Sequence, residues 1–112
     1  MAIFSVYARD HLIGHSRLEG GDPPMGVAFG ALEPTPDYAS VKAACIASQG
    51  DQAHLGWFVC TDAGVRIECA GVGILDCDVD GEPPEVNVLG IASPPYAELF
   101  PEHVAAYEKL FK

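Results

Sequence analysis

Short apolar stretches separated by turn residues run through the first third of the chain and predict strands. Residues 2–8 and 11–18 are two such stretches, joined at Arg9-Asp10, and they predict two neighbouring strands. The stretch 19–26 contains two adjacent prolines. Because each proline removes a backbone donor, we expect no regular strand ladder there. Residues 27–32 predict a short strand or an extended crossing segment.

Two segments carry the signals of a helix start. The run Thr35-Pro36-Asp37 combines an N-cap residue, a proline suited to the first helical position and a carboxylate at the positive end of the dipole. We expect this helix to run to about Ser48 and to lie mostly buried on a sheet. A second helix is predicted from Pro101 onward, where apolar residues recur at helical spacing.

The remaining apolar stretches predict further strands. Residues 55–61 and 65–71 read as a hairpin, residues 72–75 continue or follow its second strand, and residues 85–91 form the last strand. The first of these strands is apolar on both faces from Leu55 to Cys60. It is therefore either central in the sheet, or one of its faces meets another protein chain.

The order of strands, helix, strands and helix predicts the fold class. We expect an α+β fold with a mainly antiparallel sheet of about five or six strands and two helices packed on one face. The chain has 112 residues, of which 49% are hydrophobic. That length and composition predict a single domain over residues 1–112 with its own core.

Charge and hydropathy narrow the class of partner. Sixteen acidic residues against six basic ones give a net charge of −10. This field repels phosphates, so we expect no nucleic-acid partner, and it attracts a basic protein partner. No apolar stretch approaches the roughly 20 residues that span a bilayer, and the N-terminus lacks a signal-peptide pattern. We therefore expect no membrane partner and a cytoplasmic location.

The four cysteines give no metal or redox signature. No pair has the Cys-x-x-Cys spacing of a zinc knuckle or a redox motif. We expect them to be reduced and, for the most part, small buried hydrophobes. They are Cys45, Cys60, Cys69 and Cys77.

An acidic segment resembles the first half of a calcium loop. Asp76, Asp78 and Asp80 alternate and are followed by a glycine, as in an EF-hand. The match then fails, because two prolines follow and Asn87 stands where the bidentate glutamate belongs. Two interpretations stay open: a solvated acidic hairpin loop, which we favour, and a weak cation site built from the three aspartates. We predict no cofactor.

Catalytic motifs are not found, and the histidines give no metal pair. The spacing of His11 and His15 would place both rings on one helical turn, but on a strand they lie roughly 13 Å apart. We therefore expect exposed histidines on a sheet face. The chain has no Gly-x-Ser-x-Gly elbow, no phosphate-binding glycine loop before a helix and no His-Glu-x-x-His motif. We assign no catalytic residue.

Two segments resemble a group of known sequences. Residues 16–30 read SRLEGGDPPMGVAFG, and residues 96–101 read YAELFP. They are similar to segments of short uncharacterised bacterial proteins, some of which are carried in mobile gene cassettes or beside toxin genes. The resemblance covers about a quarter of the chain and implies no known activity. The first segment predicts either a rigid loop that presents Glu19, Asp22 and Met25, or a loop that packs across a sheet edge.

Three functions stay open. The favoured one is a non-catalytic interaction protein, such as an immunity or antitoxin-like partner that covers a basic protein. The second is a small-molecule-binding module with aromatic residues in its pocket, and the third is a small enzyme that uses two carboxylates with a histidine. The candidate binding residues are Glu19, Asp22, Met25 and Trp57, of which the first two are also the carboxylates of the enzyme hypothesis. The apolar excess of the strand that contains Trp57 also predicts a two-fold homodimer.

Overall fold

The strands form two antiparallel sheets of four. The computed structural model describes residues 2–79 and 81–111. Its strands are β1 (Phe4–Ala8), β2 (His11–Ser16), β3 (Gly20–Asp22), β4 (Val27–Ala31), β5 (Glu33–Pro34), β6 (Trp57–Cys60), β7 (Gly71–Leu75) and β8 (Glu85–Leu89). Sheet 1 has the order β5-β2-β1-β6, and sheet 2 has the order β3-β4-β8-β7.

The helices are short and lie at the ends and edges of the sheets. They are α1 (Lys42–Ala47), α2 (Tyr96–Leu99) and α3 (Pro101–Lys109), with 3-10 helices at Pro23–Met25, Pro36–Ser40 and Ala53–Leu55. Of these, α1 contacts β7 and α3 contacts β3. Since β7 and β3 are the two edges of sheet 2, the two helices pack at opposite edges of that sheet.

The α+β class and the antiparallel pairing are confirmed, but the strands divide between two sheets instead of one. The length of the helices explains the difference. With six residues in α1 and nine in α3, they span about 9 and 14 Å at 1.5 Å per residue. A sheet of five or six strands is about 19 to 24 Å wide. The helices are too short to cover such a sheet, so each sheet covers the apolar face of the other.

Inward side chains of both sheets form one hydrophobic core. Phe100, which follows α2, is fully buried in it, and its ring lies 5.3 Å from that of Phe4 on β1. The largest of the other fully buried side chains are Ile13, Leu18, Leu32, Ile74, Val6, Val59, Val86, Val88 and Cys45. The core is therefore shared by both sheets and is closed at one end by the C-terminal segment.

Three local predictions were wrong. The helix predicted from Pro36 to about Ser48 is divided into a 3-10 helix and α1, and it is mostly exposed, since only Tyr38 and Cys45 are buried in the two. The stretch 19–26 contains strand β3 after all, because its prolines begin only at Pro23, after the three residues that pair with β4. Residues 65–71 do not form a continuous strand. The Ile67 N–H donates to the carbonyl of Val59 in sheet 1, whereas Glu68 pairs with Ser93 beside sheet 2. This segment crosses from one sheet to the other and cannot stay in either ladder.

We predict that Phe100→Ala destabilises the fold far more than Phe111→Ala. Truncating a fully buried aromatic ring costs about 3–5 kcal/mol, whereas Phe111 is 73% exposed. Its truncation should therefore change the free energy of unfolding by less than about 0.5 kcal/mol. Urea denaturation of the two variants measures both values. Similar losses for both would show that the C-terminal segment does not close the core in the way described.

Candidate interaction surface

The Gln52 side chain joins three parts of the chain next to α1. It is buried, and its Oε1 accepts hydrogen bonds from the Trp57 indole N–H at 2.8 Å and from the Ile74 backbone N–H at 2.6 Å. Its Nε2 donates to the carbonyl oxygens of Ile74 at 2.8 Å and Cys45 at 3.1 Å. The amide pairs with both backbone groups of Ile74 as a neighbouring strand would. It thereby connects α1, β6 and β7.

Part of the edge of β7 has backbone N–H and C=O groups without hydrogen-bond partners among the described residues. In an antiparallel ladder, alternate residues of a strand turn their N–H and C=O to opposite sides. Ile74 turns both groups away from β8, toward Gln52, so Val72, two residues earlier, also turns its groups outward. A second bond gives the same result. The Leu32 N–H donates to the Pro84 carbonyl at 2.8 Å, so every second residue from Pro84 along β8 faces β4, and the residues between them face β7. Within residues 2–79 and 81–111, no partner is found for these groups of Val72.

Sheet 1 also turns backbone groups outward where β6 lies next to β7, a place that we call the seam. The Arg9 N–H donates to the Gly56 carbonyl at 2.8 Å, and the Ile67 N–H donates to the Val59 carbonyl from the opposite side of β6. By the same alternation, Trp57 turns its backbone N–H and C=O away from β1. Both Trp57 and Val72 line one groove, where β6 and β7 are adjacent.

This groove has a volume of about 1140 Å³. Gly71 and Gly73 form part of its floor, and a Cβ placed on Gly71 would meet no atom within 4 Å. Asp51 and Glu68 contribute carboxylates to its lining, and the guanidinium of Arg66 lies 4.3 Å from the centre of the Phe58 ring. The groove therefore combines free backbone groups, unfilled space and a mostly acidic rim.

The outward face of sheet 2 adjoins the groove and is largely apolar. The three largest apolar side chains on this face, those of Phe29, Leu75 and Leu89, are 36%, 48% and 45% exposed, and Leu89 also lines the groove. An antiparallel sheet with one solvated face normally alternates apolar-inward and polar-outward residues. We call this surface the outer face of sheet 2. Its residues are Val27, Phe29, Ala31, Gly71, Gly73, Leu75, Glu85, Asn87 and Leu89.

The four predicted binding residues do not lie in one site. Trp57 lines the groove, with its indole N–H engaged by Gln52. Glu19, Asp22 and Met25 lie around β3 at the opposite edge of sheet 2. The carboxylate of Glu19 accepts a hydrogen bond from the Ala31 N–H at 3.0 Å. Glu19 thus completes the end of the β4 edge, while Asp22 and Met25 are exposed.

The segment around Asp22 packs against the C-terminal helices. The Tyr96 hydroxyl donates to the Val27 carbonyl at 2.8 Å, and burial together with the nearby Asp22 and Glu102 carboxylates raises the pKa of Tyr96 to about 12. The buried ring of His103 binds the Leu18 carbonyl through Nε2 at 2.7 Å. These contacts explain why the proline-containing loop lies across the edge of sheet 2.

The acidic loop uses its described carboxylates in internal contacts. Asp76 accepts the Tyr38 hydroxyl at 2.6 Å and the Asp78 backbone N–H at 2.8 Å, and Asp78 forms an ion pair with Lys42 at 3.1 Å. Asp80, the third predicted ligand, lies outside the described residues. No cluster of three or more histidine, cysteine, aspartate or glutamate side chains that could hold a metal ion is found in residues 2–79 and 81–111.

The thiols and histidines are not arranged as a reactive centre. Burial raises the pKa of the thiols of Cys45 and Cys69, which disfavours the thiolate that a nucleophile needs. His15 lies on β2 as predicted, and His54 is exposed with Ser48 Oγ at 3.4 Å from its Nε2. Among the described residues, no hydrogen bond joins a histidine or a thiol to Glu19 or Asp22.

Comparison with known proteins gives no match. No protein-family model, no curated protein and no solved structure is significantly similar to the chain. No helix in the described part of the chain is long and apolar enough to cross a membrane.

We predict that Gln52→Leu lowers the free energy of unfolding by about 2 kcal/mol or more. The change leaves the Trp57 indole N–H and the Ile74 N–H without partners, and each such buried group costs about 1–3 kcal/mol. The Ile74 carbonyl keeps the Gln49 amide as a donor. The matched control is Gln49→Leu, because Gln49 is exposed and donates to carbonyls that have other donors. Its loss should be about 1 kcal/mol. Equal losses by urea denaturation would contradict the role given to Gln52.

We predict that Asp76 makes stability depend on pH in the acidic range. Burial of the carboxyl raises its pKa, but hydrogen bonds from Tyr38 and Asp78 and the charge of Lys42 outweigh burial, so the pKa lies below its usual 3.8. A lowered folded-state pKa gives stability that is present above about pH 4 and is lost as the pH falls through the folded pKa. The difference in unfolding free energy between wild type and Asp76→Asn should therefore shrink from pH 6 to pH 3. A difference that is constant over this range would refute the assignment.

Proposed function

We propose that the protein is a non-catalytic interaction protein that binds a basic partner protein through the outer face of sheet 2 and the adjoining groove. The observation that carries the proposal is the apolar, solvent-facing surface around Phe29, Leu75 and Leu89. Large apolar patches on the surface of a soluble domain mark interaction sites, because leaving them in water is unfavourable.

Charge supports a basic partner. The net charge is −10, and such a field speeds the approach of a cationic protein and disfavours an anionic one. On β4, β7 and β8 the charged residue of the outer face is Glu85, and the exposed Asp22 of β3 adjoins the face as the cross-strand partner of Val27. Contact at this face is therefore apolar, and the surrounding carboxylates steer the encounter. This division of roles is common in protein interfaces, where the core is depleted of charge and the rim is polar.

The shape of the groove favours a polypeptide over a small molecule. Small-molecule sites are mostly enclosed volumes of about 300–1,000 Å³ that cover most of the ligand. The groove here, at about 1140 Å³, is open along the seam and continues onto the outer face of sheet 2 through Leu89. A ligand of the size of a metabolite would leave much of its own surface in water.

A homodimer is a second proposal, but through a different surface from the one that the sequence suggested. The strand that suggested it, β6, is largely covered within the chain. Trp57 and Val59 are buried, and the ring of Phe58 lies between Tyr7, stacked at 4.9 Å, and Arg66. A second copy would therefore meet the outer face of sheet 2, where the charge that the two copies share opposes their association.

We predict that aspartate substitutions on the outer face of sheet 2 abolish partner capture. Immobilised wild-type protein, Phe29→Asp, Leu89→Asp and Leu110→Asp are incubated with extract of the source cells, and retained proteins are quantified by mass spectrometry. Leu110 is the matched control, because it is 75% exposed and lies after α3. Wild type and Leu110→Asp should retain basic proteins, and the other two variants should retain about tenfold less. Added salt should release the retained proteins.

The same experiment can overturn the proposal. Circular dichroism and thermal melts first establish that all four proteins are folded. If no protein is retained by wild type beyond the level of Phe29→Asp, or if the retained proteins are acidic, the interaction proposal is wrong. Sedimentation of the same four proteins tests the dimer, since self-association through this face should be lost in Phe29→Asp and Leu89→Asp.

A further inference from the structure

We propose that the groove between β6 and β7 binds an extended, cationic segment of a partner polypeptide by adding it as a strand to the open edge of β7. This inference rests on the proposed function and specifies how part of the partner is recognised. It concerns the backbone edge and its glycines, and it is separate from the apolar contact at Phe29.

The first observation is the direction of the free backbone groups. Val72 turns its N–H and C=O into the groove without a partner in the described chain, and Trp57 turns its groups toward the same seam. Unpaired edge groups are a template for an additional strand, and natural proteins normally block such edges. The opposite edge of sheet 2 is covered, because helix α3 packs against β3 there.

The second observation is that a side chain of the protein already occupies the part of the β7 edge next to Val72. The side-chain amide of Gln52 forms both edge hydrogen bonds of Ile74. An incoming segment therefore has one residue of free edge on β7 and ends against Gln52. The short edge predicts a short contact with Val72 at its centre and weak to moderate affinity, supplemented by side-chain contacts.

The third observation is the space beside the edge. Gly71 and Gly73 flank Val72, and a Cβ at Gly71 would meet no atom within 4 Å, while a Cβ at Gly73 would meet only Gln52 Oε1 at 3.8 Å. Neither glycine has a positive φ. Glycine is therefore not required there by the backbone conformation or by crowding within the chain. Because these glycines have no side chain, they leave room for a ligand over the edge.

The fourth observation concerns side-chain chemistry. Asp51 and Glu68 are exposed in the lining of the groove, against the cation of Arg66, which lies over Phe58. Since Asp51 accepts a hydrogen bond from the Ala53 N–H at 3.0 Å, Glu68 is the carboxylate more available to a ligand. Leu89 supplies an apolar contact on the floor. Since side chains of a strand alternate between two faces, the complementary segment alternates apolar residues with lysine or arginine. That composition agrees with a chain of net charge −10.

The test uses random dodecapeptides displayed on phage and selected against the wild-type protein. Enriched peptides should alternate apolar and basic residues and contain no proline at their centre. The strongest binder is then synthesised with a single N-methyl group at each backbone position in turn. We expect a loss of about tenfold or more at one central position, because Val72 offers a single free carbonyl to an N–H of the added strand.

The matched variants are Gly73→Val and Ser5→Val. Both add a β-branched side chain at an outward strand position, but Ser5 lies on β1 in the other sheet. Gly73→Val should weaken the synthetic peptide about tenfold or more, and Ser5→Val should leave its affinity within about twofold. Urea denaturation establishes that both variants are folded.

The outcomes separate this inference from the proposed function. Strand addition is wrong if no peptide is enriched over selection on Gly73→Val, if the binders are acidic, or if no single N-methyl group weakens binding. Any of these results leaves capture of a partner through Phe29 and Leu89 intact. Conversely, a loss at one central position together with no partner retained by wild type would support the groove as a peptide site and refute the wider docking surface.

Discussion

The side chain of Gln52 is the interaction on which the architecture at the seam depends. One primary amide satisfies the indole of Trp57 and both edge groups of Ile74, and it also reaches the end of α1. In a buried position, each unmet group would cost about 1–3 kcal/mol. The amide is thus the polar connection between two sheets that are otherwise held by apolar packing. Because it ends at Ile74, it also determines how much of the edge of β7 stays free.

The two edges of sheet 2 are treated in opposite ways. At β3, helix α3 packs against the edge strand, and His103 ties that helix to the chain at Leu18. At β7, the closure stops at Gln52 and leaves Val72 open. An unprotected edge carries a risk of unwanted pairing. A single free residue between Gln52 and the crossing segment limits that risk while leaving space for one short strand.

Local signals in the sequence were sufficient for the class of the fold and for most of its elements. The starts at Pro36 and Pro101 were correct, because proline suits the first helical position. The predicted cap was not, since Thr35 forms no side-chain cap bond and its hydroxyl donates to the Leu12 carbonyl. The division into two sheets was not predictable from these signals. It depends on the helices being too short to cover one wide sheet, and helix length depends on tertiary packing as well as on propensity.

The candidate site was the least predictable part for a related reason. Glutamine in a loop is ordinarily a solvated residue, and nothing near Gln52 in the sequence shows that it meets Ile74, 22 positions later. Trp57 was singled out as a binding residue for its bulk, and it does line the groove. Glu19 was singled out for its charge, but its carboxylate is engaged by a backbone N–H. The outward Phe29 could have been found, since both faces of β4 are apolar, whereas Leu89 shares its face of β8 with Glu85 and Asn87.

The positions of the carboxylates determine how the net negative charge can act on a partner. Glu19 and Asp76 accept hydrogen bonds from within the chain, so they are not free to pair with a partner. The outer face of sheet 2 has one carboxylate, at Glu85, and Asp22 on β3 adjoins it beside Val27. Long-range attraction depends on net charge, whereas contact specificity depends on which groups meet at short range. A basic partner would thus be attracted by the whole molecule but recognised mainly by apolar and backbone groups, which makes the free edge at Val72 the most selective feature that the surface offers.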